Sequence, residues 1–159
     1  MNLMTKLVNR YRHNPVLFAK EVLGAEPEPE QVQMLESVNN NRMTAVKAGH
    51  GVGKTTSLAW VILWFMFTRP YPKIPCTAPT MHQLRDILWA EISKWLSRSE
   101  LLKQFFDWTV ERVALKKQEE KWFAVARTAT KPDAMQGFHS DSLLFVLDEA
   151  SGINDVIFE

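Results

Sequence analysis

The chain has 159 residues and a formal net charge of +1 at pH 7, and 46% of its residues are hydrophobic. This length is enough for one domain with a substantial core, and the composition excludes the low-complexity and disordered classes. The balanced charge gives no long-range attraction to nucleic acid, membranes or acidic substrates. Cys76 is the only cysteine, which excludes a disulfide framework and a cysteine-based metal site and favours a reducing, cytosolic setting.

The N-terminal part of the chain is predicted to be helical. Apolar residues recur at helical spacing over 5–23 and the pattern breaks at Asn14-Pro15, which predicts one or two short helices outside a central sheet. A polar, proline-containing connector over 24–29 leads to a predicted helix from 30 to 38, and a turn follows at 39–41.

Residues 48–55, Ala-Gly-His-Gly-Val-Gly-Lys-Thr, fit the phosphate-binding P-loop (Walker A) pattern, with alanine in place of the first glycine. Glycines can take positive φ and have no Cβ, so backbone N–H groups can surround a phosphate. We expect Lys54 to place its ammonium on the β- and γ-phosphates of a nucleotide and the Thr55 hydroxyl to ligate Mg²⁺. The residues predicted to bind nucleotide here are Gly49, His50, Gly51, Val52, Gly53, Lys54, Thr55 and Thr56.

The flanking segments agree with this interpretation. The alternative is a glycine-rich turn that joins a strand to a helix and binds no phosphate. Residues 43–46 are predicted to form a buried strand before the loop, and the apolar residues 56–67 a buried helix after it. The apolar run 58–67 is too short to span a bilayer. The dipole of that helix, whose N-terminus would be directed at the phosphate, would add to the attraction.

The second half of the chain alternates strand and helix patterns. A continuous apolar run at 143–147 predicts a central parallel strand. Before it we predict a strand at 74–78, an amphipathic helix at 80–97, a short helix within 100–106, and paired antiparallel strands at 108–115 and 121–126 around a charged turn at 116–120.

Two carboxylates, Asp148 and Glu149, follow the last apolar run, which is the Walker B pattern. Alone, this pattern is also typical of the solvated end of a strand, but downstream of a P-loop it predicts a metal-binding Asp148 and a general base at Glu149. The long separation between Lys54 and Asp148 leaves room for an extra strand–helix unit. This spacing and the second acid favour motor ATPases over small GTPases and kinases.

Four segments, 46–55, 77–80, 136–139 and 147–152, resemble the N-terminal ATPase of large terminase subunits, the DNA-packaging motors of tailed bacteriophages and prophages. The resemblance implies an α/β P-loop NTPase fold of the additional-strand, catalytic-glutamate division. Its sheet would be mainly parallel, flanked by helices and incomplete at the C-terminus. The ATPase part would cover 27–159, after an N-terminal helical segment at 1–26.

The resemblance also implies roles for residues outside the loop. Gln31 matches a glutamine that reads adenine, which an amide can do because it both donates and accepts, although a solvated helix glutamine is the alternative. Lys47 matches a basic residue near the γ-phosphate, with a strand-end lysine as the alternative. Arg85 and Arg127 are candidates for an arginine finger. His139 has no second histidine or cysteine nearby in sequence, which disfavours metal binding.

As a packaging motor the protein would hydrolyse ATP with Mg²⁺ in the bacterial host cytoplasm, without a membrane. Its partners would be double-stranded DNA, the portal protein, the small terminase subunit and further copies in a ring at the portal. Family members continue beyond the equivalent of Glu159 with a coupling segment and a nuclease domain, so we expect a fragment or truncated product without nuclease activity.

Two other functions remain open at this stage. Residues 78–80 and 148–150 are also similar to motifs of superfamily 1 and 2 helicases. A nucleotide-binding module without turnover is the second alternative.

Overall fold

In the computed structural model, which describes residues 1–46, 53–128 and 136–149, a five-stranded sheet is flanked by helices. The helices are α1 (Leu3–Tyr11), α2 (Pro15–Glu21), α3 (Pro29–Asn40), α4 (Lys54–Thr68), a π-helix (His82–Trp89) that continues directly into α5 (Ala90–Arg98), and α6 (Glu100–Lys103). The strands are β1 (Lys73–Thr77), β2 (Phe106–Trp108), β3 (Arg112–Leu115), β4 (Phe123–Ala126) and β5 (Val146–Leu147).

The two N-terminal helices begin at asparagine caps. The side chain of Asn2 accepts a hydrogen bond from the Thr5 amide at 2.8 Å, and that of Asn14 accepts one from the Leu17 amide at 3.1 Å. Pro15 occupies the first turn of α2, where its missing N–H leaves no unpaired donor. The predicted break at Asn14-Pro15 is therefore confirmed as the start of a second helix.

Helix α4 forms the centre of the helical layer. Most of its side chains are buried, because α1, α2, α3 and α5 all pack against it. The indole Nε1 of Trp64 donates to the carbonyl of Tyr11 at 2.7 Å, which connects α4 to the N-terminal helices. The predicted buried helix at 56–67 is confirmed. Of the helices in the described ranges, none is long and apolar enough to cross a membrane.

Strand β1 lies between β4 and β5 in the sheet order β2-β3-β4-β1-β5 and is parallel to both. Cys76, in β1, is fully buried and pairs with Ala126 on one side and Val146 on the other, and its burial raises the pKa of the thiol. Strands β2, β3 and β4 are successively antiparallel. The expectation of a mainly parallel sheet is wrong for the described residues, because the short turns that join these three strands permit only antiparallel pairing.

The predicted strand at 108–115 is also wrong in its length. A turn interrupts it after Trp108, where the Thr109 amide donates to the Arg112 carbonyl at 2.8 Å and the Thr109 hydroxyl accepts from the Arg112 amide at 3.1 Å. The apolar alternation continues through this turn, which is why the pattern did not reveal it. The predicted pairing of the following strand with residues 121–126 is confirmed as β3 and β4.

Two further strand predictions need correction. Residues 43–46 form no strand, and Met43 is 88% exposed, so this short segment has neither a paired neighbour nor a buried face. The run at 143–147 contributes only the two residues of β5 and an isolated bridge from Leu143 to Lys73. Among the described residues β5 is an edge strand, and Phe145 beside it is exposed.

The long amphipathic helix predicted at 80–97 is present over 82–98, and its first half is π-helical. We refer to the π-helix and α5 together as helix 82–98. Most of its apolar side chains are buried against α4 and the sheet, as the amphipathic pattern predicts, whereas Ile87 is exposed.

Candidate functional site

The first turn of α4 is set by a glycine in a left-handed conformation. Gly53 precedes Lys54 as the N-cap residue and has φ of 72°, which a residue with a side chain rarely adopts. A Cβ at this position would also collide with Nε2 of Gln31. The glycine requirement predicted for the P-loop therefore has two independent physical causes at Gly53.

The carboxylates lie where β5 ends beside β1. The Asp148 amide donates to the carbonyl of Thr77 at 2.9 Å, which continues the parallel pairing by one residue. The Asp148 side chain is fully buried, and its Oδ2 accepts a hydrogen bond from Nε2 of Gln83 at 3.0 Å. Its Oδ1 is buried and has no hydrogen-bond partner among the described residues. Glu149 follows with φ of 56° and a side chain that is 41% exposed.

Lys54 connects the two parts of the predicted site. Its Nζ lies 3.3 Å from Oδ1 of Asp148 and 3.5 Å from Oε1 of Glu149. At 3.3 Å, Lys54 Nζ and Asp148 Oδ1 form an ion pair, but the angles are not those of a hydrogen bond. Oδ1 is therefore charge-paired and still has no hydrogen bond from the part of the chain that the structure describes. The structure thus brings together three residues that the sequence places far apart, while their catalytic and binding roles stay predictions.

Gln31 is buried at 8% exposure and uses both ends of its amide. Its Oε1 accepts from the Glu28 amide at 2.9 Å, forming the capping box of α3, and its Nε2 donates to the Gly53 carbonyl at 3.0 Å. Gln31 is therefore not a solvated helix glutamine. Both contacts are to the backbone of the protein itself, and the adenine-reading role stays a prediction. It would have to use the remaining hydrogen and lone pair of the side-chain amide.

The two threonines after Lys54 differ in their surroundings. Thr55 is partly exposed, and the hydroxyl of Thr56 donates to Oε1 of Glu91 at 2.9 Å. Glu91 also accepts from the indole Nε1 of Trp95 at 3.0 Å. The Thr56 side chain is thereby bonded to α5, and the predicted part of Thr56 in nucleotide binding stays a prediction.

Sequence reasoning did not identify Gln83 and Glu91 as members of this site. Gln83 lies just after Ala78-Pro79-Thr80, and its backbone N–H donates to the Thr80 hydroxyl at 3.0 Å. That position was a usable signal, because it places Gln83 near the carboxyl end of β1. Glu91 gave no such signal, since an acid on an amphipathic helix is ordinarily solvated.

Several predicted residues lie elsewhere. Lys47, Gly49, His50, Gly51 and Val52 are outside the described residues. His139 is exposed and borders an open groove of about 690 Å³ beside Lys73, at the opposite end of β1 from Thr77. The described ranges contain no cluster of three or more histidine, cysteine or acidic side chains able to hold a metal ion.

Both arginine-finger candidates contact their own chain. An Nη atom of Arg85 lies 3.7 Å from a carboxylate oxygen of Glu111. The guanidinium of Arg127 lies over the ring of Phe138, 5.5 Å from its centroid. These contacts leave the assignment of a finger to either residue untested.

Comparison with known proteins adds one similarity. No family model matches the chain. The chain is 28% identical over 160 residues to a protein of Enterobacteria phage P7 described as a probable terminase, large subunit. The similarity is to a probable large subunit of a phage terminase. The alignment covers 96% of this chain and 32% of the phage P7 protein, so the chain spans about a third of that relative's length. This similarity supports the terminase resemblance predicted from the motifs.

Proposed function

We propose that the chain is the ATP-binding and hydrolysing motor region of a phage terminase large subunit, which drives double-stranded DNA into procapsids. The observation that carries this proposal is the position of Lys54. Its ammonium, at the first residue of a helix that follows a left-handed glycine, lies within 3.5 Å of both acids at the end of β5. The similarity to the phage P7 protein supports the choice of motor.

The residues at this site fit a magnesium ion. Mg²⁺ prefers oxygen ligands and keeps several waters or phosphate oxygens, so it needs only one or two protein groups. The Thr55 hydroxyl and the Asp148 carboxylate would hold it, once Lys54, whose ammonium lies 3.3 Å from Oδ1 of Asp148 in this structure, turns to the phosphates. When bound, the ion would neutralise charge on the β- and γ-phosphates.

Lys54 would change partners when nucleotide binds. Its ammonium has three donors and is paired with two carboxylates in this structure, so phosphate oxygens would replace one or both acids. The released Glu149, whose side chain reaches solvent, would accept a proton from water as the water oxygen attacks the γ-phosphorus and ADP leaves. Lys54 would meanwhile stabilise the charge on the transferred phosphoryl group.

The partners follow from the same proposal. A packaging motor would act on double-stranded DNA in the cytoplasm of the bacterial host, bound to the portal protein and the small terminase subunit. Assembly in a ring would let a neighbouring subunit supply an arginine toward the γ-phosphate.

Calorimetric titration of the 159-residue chain with ATP, with and without Mg²⁺, tests the proposal. We expect Lys54→Ala to weaken ATP by ~2–4 kcal/mol, because a phosphate in a partly dry site loses its charged partner. Lys20→Ala, on the exposed face of α2, is the matched control and should bind as the wild type does. Unchanged ATP affinity in Lys54→Ala would refute the phosphate site, and binding without any phosphate release would leave only a passive nucleotide-binding module.

A further inference from the structure

Helix 82–98 contacts both halves of the candidate site. Near its N-terminal end, Nε2 of Gln83 donates to Oδ2 of Asp148 at 3.0 Å. Two turns later, Oε1 of Glu91 accepts from the hydroxyl of Thr56 at 2.9 Å, in the same first turn of α4 that carries Lys54. One element is therefore bonded to the acid at the end of β5 and to the helix that begins the predicted phosphate site.

Both contacts lie in surroundings that restrict movement. Asp148 is fully buried, so its carboxylate cannot exchange Gln83 for water without exposing the group. The Glu91 carboxylate is largely buried and also accepts from the Trp95 indole, whose ring packs edge-on against Trp60 with centroids 5.4 Å apart. Lys94 Nζ lies 3.7 Å from the same carboxylate oxygen.

The π-helix explains how one helix contacts both Asp148 and Thr56. Gln83 and Glu91 are eight positions apart, whereas two α-helical turns contain about 7.2 residues. A π-turn is closed by a hydrogen bond that spans five residues instead of four, so each turn contains more residues. The π-helix His82–Trp89 therefore brings positions 83 and 91 closer to one face than a regular α-helix would. Segments of π-helix occur frequently at functional sites.

We propose that helix 82–98 is the positioning element of this site. Gln83 holds Oδ2 of Asp148 so that Oδ1 stays directed toward the cation, and Glu91 holds the first turn of α4, which presents Lys54 and Thr55. The proposal rests on the proposed nucleotide function. The two contacts have separable effects: Gln83 acts on Mg²⁺, and Glu91 acts on phosphate binding whether or not Mg²⁺ is present.

The Gln83 contact is tested by titrating Mg²⁺ into the full chain with ADP, and by titrating ADP in EDTA. Gln83→Met keeps the length of the side chain and removes the amide. We expect it to raise the Mg²⁺ midpoint about 10-fold, the usual scale for losing a partner of a metal-binding carboxylate. Binding of ADP in EDTA should stay within about twofold, since no phosphate contact is lost. Gln33→Met, at an exposed position of α3, is the control.

An unchanged Mg²⁺ midpoint, or equal losses in Mg²⁺ and in EDTA, would overturn the role of Gln83. For the Glu91 contact, Thr56→Val removes the hydroxyl at constant shape. It should weaken ADP by a similar factor with and without Mg²⁺, and Thr5→Val on the exposed surface of α1 should not. A loss confined to Mg²⁺-containing samples would contradict this role.

The ligand-free protein provides a measurement independent of nucleotide. In a double-mutant cycle of Gln83→Met and Asp148→Leu, the shifts in the unfolding midpoint should be clearly non-additive, because Met removes the donor and Leu removes the acceptor of the same hydrogen bond. Additive shifts would overturn the proposal. If the wild type binds no nucleotide, the proposed function fails, and this cycle alone decides whether Gln83 positions Asp148.

Discussion

Asp148 and Glu149 are neighbours in sequence but differ in what their carboxylates can reach. Asp148 is fully buried, and its Oδ2 accepts a hydrogen bond from the side-chain amide of Gln83. Glu149 turns away through a left-handed backbone conformation and exposes 41% of its side chain. A fixed, dry carboxylate suits a cation, and one in contact with solvent suits proton transfer from water.

We therefore expect Glu149→Gln to lower ATP hydrolysis by ~100-fold or more and to leave ATP binding unchanged, because an amide keeps the shape but cannot accept the proton. Steady-state phosphate release measures the first effect and calorimetry the second. Glu120→Gln, at an exposed position before β4, is the control. Normal turnover in Glu149→Gln together with lost turnover in Asp148→Asn would reverse the assigned roles.

Gln31 is predicted to stabilise the fold even without a ligand. Gln31→Met removes the hydrogen bonds to the Glu28 amide and the Gly53 carbonyl at a buried position, which should lower the free energy of unfolding by about 1–3 kcal/mol. Urea unfolding is the measurement, and Gln33→Met on the same helix is the control. An unchanged urea midpoint would contradict the contacts. A selective loss of ATP over GTP affinity in Gln31→Met would show that the amide also reads adenine.

At the scale of elements, the start of α4 depends on the close approach of α3. Gly53 needs a left-handed backbone and also lies against the Gln31 amide. Gly24 has a similar φ of 67°, but nothing lies within 4 Å of where its Cβ would be. The two glycines therefore separate backbone strain from steric contact.

Gly24→Ala should cost about 1–2 kcal/mol of unfolding free energy, the scale of left-handed strain alone. Gly53→Ala should cost more, because the new methyl group also displaces Gln31. Chemical denaturation of both variants and of Gly53→Ala with Gln31→Ala measures the difference. We expect the added Gln31→Ala to reduce the excess cost at Gly53, and equal costs at the two glycines would disprove the steric contact.

Sequence patterns predicted the helices better than the strands. The buried helix α4 and the break before α2 depend on local signals, namely a long apolar run and the dipeptide Asn14-Pro15. Strands depend on partners that are distant in sequence. Residues 43–46 have strand-like composition but no paired neighbour in the described residues, and the turn after Trp108 is set by the Thr109 hydroxyl, which hydrophobic alternation does not reveal.

The candidate site was predictable only where a motif specifies both spacing and chemistry. Lys54 and the pair Asp148 and Glu149 belong to such motifs, and the structure places them together. Gln83 and Glu91 could not be paired with their partners from sequence, because the direction of each side chain depends on the phase of a π-helix. That phase is a property of tertiary packing.

At the scale of the whole molecule, β1 connects the sheet to the acidic half of the candidate site, Asp148 and Glu149. It pairs with β4 on one side and β5 on the other, and its last residue, Thr77, accepts from the Asp148 amide. A separation of β1 from its neighbours would therefore disassemble the sheet and the acidic half of the candidate site in the same event.

The single cysteine, Cys76, lies in that strand, so the reactivity of its thiol measures how often the strand opens. A thiol reagent can reach Cys76 only when β1 opens, so its labelling rate counts openings of the sheet. A nucleotide that binds only the closed form, present at 100 times its Kd, should slow this labelling about 100-fold. Ser97→Cys with Cys76→Ala, which places the thiol on the surface of α5, should label quickly with or without nucleotide. Labelling of Cys76 that ignores saturating nucleotide would mean that the strand opens without releasing the ligand, and that binding and the integrity of the sheet are uncoupled.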